Sequence, residues 1–148
     1  MATRSVIAVR TGTARKPRYL AVYCHYDGYP SHQLPLLLAH HDSHEAAQEL
    51  VAGGDISALH TNLGWDRETL PESGPLYYAD RGEVPAVVAP KEFTEIQGLL
   101  DHFQECGCEH AYVFVPKQGW VHTDLRQLDL PFEPDPTDFN YVGSPDHY

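Results

Sequence analysis

Apolar and polar positions alternate or cluster along this chain in a way that marks out its elements. Ser5 to Val9 and Tyr19 to Tyr23 are short β-prone runs separated by a Thr/Gly/Lys/Pro segment, the pattern of two antiparallel strands joined by a long hairpin loop. Asp27-Gly28 and Tyr29-Pro30 then supply turn chemistry, and Leu34 to Ala39 reads as a short helix begun near Pro35. Asp42-Ser43-His44-Glu45 has the form of a helix start capped by Asp42, with Ala46, Ala47, Leu50 and Val51 as its apolar stripe and Gly53-Gly54 as its stop. Asp55 to Leu59 reads as one further capped turn, and the polar stretch from His60 to Gly74 as an irregular surface excursion.

A strand near Leu76 to Ala79 follows. After Pro90, Phe93, Ile96, Leu99, Leu100 and Phe103 fall at helical spacing, with Glu92, Glu95, Asp101 and Glu105 off that face. Ala111 to Val115 is the clearest strand, and Pro116 to Gly119 turns it into Trp120 to Thr123. Strands arriving in hairpins predict an α+β fold: an antiparallel sheet of about four to five strands with two main helices packed on it. Residues 1–124 form the single domain of this reading. Residues 125–148 form a Pro-rich acidic tail or arm, and oligomer formation through that tail stays open.

Composition narrows the function classes. With 148 residues, 42% hydrophobic and 21% charged, the chain has ordinary globular usage. Its longest early apolar run, Val6 to Val9, is too short for a signal core or a membrane span, so a cytoplasmic setting without membrane contact is expected. The three cysteines, Cys24, Cys106 and Cys108, fit reduced thiols better than a disulfide scaffold. The net charge is −11, yet five of the ten basic residues (Arg4, Arg10, Arg15, Lys16, Arg18) precede any acid. The rest carries 5 basic against 21 acidic residues, a surface that repels phosphate backbones, so direct nucleic-acid binding is not expected. Thr11 to Pro17 is read here as a solvated hairpin turn.

Three polar clusters could carry chemistry. In the first, Tyr23, His25 and Asp27 share one face if the second strand runs through them, and Asp80-Arg81-Gly82-Glu83 could join them. Histidine beside a carboxylate suits a general base or metal ligand, and Arg81 suits a phosphate or carboxylate. His25, Asp27, Tyr29, Asp80, Arg81 and Glu83 are accordingly the candidate ligand-binding residues. The alternative is that Asp27 holds its own turn and Arg81 an internal salt bridge. In the second, Cys106, Cys108 and His110, with His102 a turn earlier, are possible zinc ligands, though C-x-C-x-H is not a standard half-site; the alternative makes Gly107 a helix C-cap and the cysteines small buried groups. In the third, His40, His41 and His44 read as a solvated, titratable edge. No cofactor is expected. The chain has no nucleophile elbow, P-loop or dinucleotide glycine pattern, and Cys24 and His25 point to opposite faces of a strand.

Thr3-Arg4-Ser5 with Ile7, Tyr23-Cys24-His25-Tyr26-Asp27-Gly28-Tyr29-Pro30, Gly54-Asp55-Ile56-Ser57 and Asp80-Arg81-Gly82-Glu83 together resemble a family of short, uncharacterised phage and prophage proteins. The order matches up to about Thr123. The chain departs from that pattern at Tyr26, where the family usually has Trp, and at Gln33-Leu34-Pro35, where it often has a Gly-containing segment. The resemblance implies a phage or prophage accessory protein in a host cytoplasm and transfers no catalytic residue. Binding of a host protein or a small anionic ligand, with counter-defence as the setting, is the leading expectation. Two alternatives are a metal-assisted hydrolase using His25, Asp27 and Glu83, and an acidic nucleic-acid mimic.

Overall fold

A computed structural model describes residues 3–13, 15–59, 76–79, 82, 84–127 and 140–141. The first hairpin pairs β1 (Ser5–Gly12) with β2 (Pro17–Tyr26) in continuous antiparallel register from Ser5↔Cys24 to Gly12↔Pro17. The chain then runs through α1 (Pro30–His40) and α2 (His44–Ala52) into β3 (Ile56–Ala58), which lies parallel to β2. Next come β4 (Leu76–Tyr77), a single turn α3 (Pro85–Val88) and β5 (Lys91–Phe93). Helix α4 (Ile96–Glu105) returns the chain to β6 (His110–Val115), which inserts parallel to β1 and turns back as β7 (Gly119–Asp124). A 3-10 turn at Leu125–Gln127 and β8 (Asn140–Tyr141), antiparallel to β7, complete the described chain.

The sheet order is β4-β3-β2-β1-β6-β7-β8, with β5 also on β2, eight strands among the described residues. The expected antiparallel sheet is therefore corrected to a mixed one, because both helical crossovers bring a strand back parallel to its neighbour. Helices cover both faces of the sheet. On one face Ile96, Leu99, Leu100 and Phe103 of α4 pack on Val6, Ala8, Ala21, Ala111 and Val113. On the other, Leu37 of α1 and Ala47, Leu50 and Val51 of α2 pack on Ile7, Val9, Val22, Tyr112, Phe114 and Trp120. Strands buried on both faces read as unbroken apolar runs, which is how Val6 to Val9 and Ala111 to Val115 are written.

Several element boundaries differ from the sequence reading for local reasons. Helix α1 begins at Pro30 rather than near Pro35, because Pro30 occupies the first helical turn where its missing N–H costs nothing, and Pro35 is carried inside the helix. Ser43, not Asp42, caps α2, its hydroxyl accepting the Ala46 N–H at 3.0 Å. Asp55 to Leu59 supplies a strand instead of a turn, and Lys91 to Phe93 pairs with β2 before α4 begins. These two short strands share one edge of β2, β5 opposite residues 19–21 and β3 opposite residues 24 and 26. Between them the Tyr23 N–H donates to Asp55 Oδ1 at 2.9 Å, so a side chain closes the interrupted ladder.

Candidate functional site

The first predicted cluster does not assemble as its alternation suggests. Strand β2 ends at Tyr26, and Asp27 turns off it with φ at +56°, so it leaves the face that holds Tyr23 and His25. The turn is a clamp: Gly28 N–H donates to Thr3 O at 2.8 Å, and Tyr112 donates its hydroxyl to Gly28 O at 2.6 Å. A Cβ at Gly28 would sit 2.7 Å from the Ser5 side chain, so nothing larger fits. His25 Nδ1 lies 2.6 Å from Tyr23 Oη. Burial lifts the Tyr23 phenol to about 12, while burial and then Arg4 lower the His25 pKa. His25 Nδ1 is thus engaged by Tyr23, and the ring is pushed toward its neutral form. Tyr29 is exposed at the N-terminus of α1. Asp80, Arg81 and Glu83 lie outside the described residues.

The second cluster is split between surface, core and opposite faces. Cys106 is exposed at the end of α4, 3.8 Å from His102 Nε2. Gly107 follows with φ at +86°, the left-handed position that ends many helices. Cys108 is buried against α4, its thiol raised to about 12 by burial, while His110 faces the layer of α1 and α2. Among the described residues no group of three His, Cys, Asp or Glu side chains could hold a metal ion. In the third cluster, the break between α1 and α2 separates His40 from His44. His41 is half-buried rather than solvated, its pKa brought down to about 4 by burial and by His40, and its carbonyl accepts Trp120 Nε1–H at 3.0 Å. His44 Nε2 meets Arg10 O at 2.9 Å, and its ring stacks on Phe114.

Two features escaped the sequence reading. His110 and His122, on adjacent strands β6 and β7, bring Nδ1 and Nε2 to 3.0 Å in a buried pair. The other feature is the end of the sheet where both hairpins turn. The β1–β2 loop carries Arg15 and Lys16 beside Arg10 and Arg18, and the β6–β7 loop adds Lys117. Between the two loops lies a cleft of about 360 Å³ lined by Arg10, Thr11, Gly12, Thr13, Pro116 and Lys117. Beside it a depression of about 300 Å³ is lined by Arg15, Lys16, Pro17, Arg18, Thr94 and Glu95. Arg18 pairs with Glu92 at 3.1 Å, while Arg10, Arg15, Lys16 and Lys117 have no ion pair among the described residues. The basic N-terminal segment was legible as charge. Lys117 was not, since a hundred positions separate it from its neighbours in space.

No family model, curated protein or solved structure matches this chain. Among the described residues, no helix is long and apolar enough to cross a membrane.

Proposed function

We propose that the protein is a binding protein for an anionic partner, engaged at the hairpin end of the sheet. One observation carries this reading: in a chain of net charge −11, half of the ten basic side chains gather at the hairpin end of the sheet, Arg10 and Lys117 lining the cleft and Arg15, Lys16 and Arg18 the depression beside it. Charge of one sign gathered on an oppositely charged body steers an anion to that end and away from the remaining surface. The resemblance to phage and prophage proteins supports a host-cell partner, either a small anionic molecule or an acidic surface of a host protein, with counter-defence as the setting. The structural use of His25 by Tyr23, and of Asp27 by its turn, favours binding over hydrolysis at those residues.

The test is native mass spectrometry of the protein purified from a host lysate, for the wild type and for the double variant Arg10→Glu/Lys117→Glu. The wild type should retain an anionic molecule or an acidic host chain that the variant has lost. Retention unaffected by the double charge reversal, or nothing anionic retained by either protein, contradicts the proposal.

A further inference from the structure

We infer that the cleft between the two hairpin loops is a phosphate site, taking the phosphate or diphosphate group of a small ligand between Arg10 and Lys117; this rests on the anion-binding reading above. The lining consists of two cations from different hairpins, two threonines, a glycine and a proline, with no carboxylate among them. Its side-chain donors are Arg10, Lys117 and Thr13, since Thr11 gives its hydroxyl proton to Arg18 O at 3.5 Å. Thr13 Oγ1 accepts the Lys16 N–H at 3.0 Å, which leaves its own hydroxyl proton to donate. Gly12, at φ +80°, brings bare backbone to the wall of the cleft, and a Cβ there would come within about 2.4 Å of Lys16 O.

Position in the fold and size agree with that chemistry. Strands β1 and β6 are parallel neighbours, and both end at this cleft, where each turns into its antiparallel hairpin partner. A volume of about 360 Å³ lies at the small-molecule end of binding pockets.

Lys117 adds an independent sign. It occupies the third position of the turn closed by Gln118 N–H to Val115 O at 2.9 Å, with Pro116 before it and φ at +70°. Glycine or asparagine is favoured there, so this turn holds a lysine where a smaller residue would suit the backbone better. The cost is accounted for if the ammonium group is required at the cleft.

The experiment is an NMR amide titration with pyrophosphate and, separately, with a short polyglutamate peptide, on the wild type, Lys117→Asn, Arg10→Gln and the remote control Arg126→Gln, with thermal unfolding of each. Pyrophosphate should shift the amides of Gly12, Thr13 and Lys117. Lys117→Asn and Arg10→Gln should each weaken it about tenfold, as loss of a charge-assisted hydrogen bond does. Lys117→Asn should do so without lowering Tm, and Arg126→Gln should bind as the wild type. If polyglutamate binds at these amides and pyrophosphate does not, the ligand class is wrong while the anion-binding reading stands. If neither binds, both fail. Undiminished pyrophosphate binding in folded Lys117→Asn and Arg10→Gln places the site elsewhere.

Discussion

Gln33 is fully buried, and its amide joins three elements: Ser5 donates to Oε1 at 2.6 Å from β1, and Nε2 donates to the Cys24 thiol at 3.2 Å on β2. Replacing Gln33 by Leu keeps the bulk and removes both bonds, leaving the Ser5 hydroxyl buried without its acceptor. The expected loss is roughly 1–3 kcal/mol, read from urea unfolding. The same environment makes Cys24 inert. Burial raises its thiol to about 11, as it raises Cys108 to about 12, so neither forms thiolate at neutral pH. Cys106 is exposed. A disulfide reagent at pH 7 should therefore modify Cys106 at once and the other two only on unfolding; rapid loss of all three thiols from folded protein would contradict this packing. At this scale the sequence was partly legible. Asp27 and Gly28 announce their turn through composition, because each residue acts on its own backbone. The bond from Gln33 to Ser5 spans 28 positions and has no sequence signal.

Strands β6 and β7 hold the buried His110 and His122 pair, and with 3.0 Å between Nδ1 and Nε2 one ring donates and the other accepts. Burial lowers both pKa values, with His110 lowering that of His122 further, to about 4; Asp124 opposes this for both, and Arg126 lowers that of His110. A histidine depressed in the folded state stabilises the fold above its unfolded pKa of about 6.5, and that contribution is lost as pH falls toward the folded value. The hairpin should therefore lose on the order of 2 kcal/mol between about pH 6.5 and pH 4. His41, depressed to about 4 by burial, has the same sign, so Tm is to be followed against pH in the wild type and in His122→Phe. The variant should show a shallower fall. An unchanged slope would mean that this pair does not carry the acid sensitivity. Asp124, drawn down to about 2 chiefly by its hydrogen bond from Arg126, gives way only below about pH 4 and so leaves this window clear. Elements themselves were legible where the apolar pattern is strong, as in β1, β2, β6, β7 and the part of α4 from Ile96 on, while Phe93, read on the same helical face, belongs to β5. The register that sets His122 opposite Tyr112 and Asp124 opposite His110 depends on how β6 and β7 pair, and single-residue patterns do not state it.

The whole molecule departs from the sequence reading at the pairings between distant segments. Hairpins are read from adjacent runs, so a chain with two clear hairpins suggests an antiparallel sheet. The unbroken apolar runs in β1 and β6 were the available signal that both faces are covered, but neither run states that β6 lies parallel beside β1. This insertion is also what brings the β6–β7 loop, with Lys117, beside the end of β1, with Arg10. The fold converts a charge asymmetry along the chain into one across the molecule, with opposite consequences for stability and binding. A body of net charge −11 repels itself, so raising ionic strength from low to physiological screens that repulsion and should raise Tm. The same screening acts on the attraction between the cationic end and its ligand. Affinity for pyrophosphate should fall over the salt range in which stability rises. Thermal unfolding and titration calorimetry on one salt series check both slopes. Binding that strengthens along with stability would mean that salt acts by tightening the fold, and that the hairpin cations do not supply the attraction.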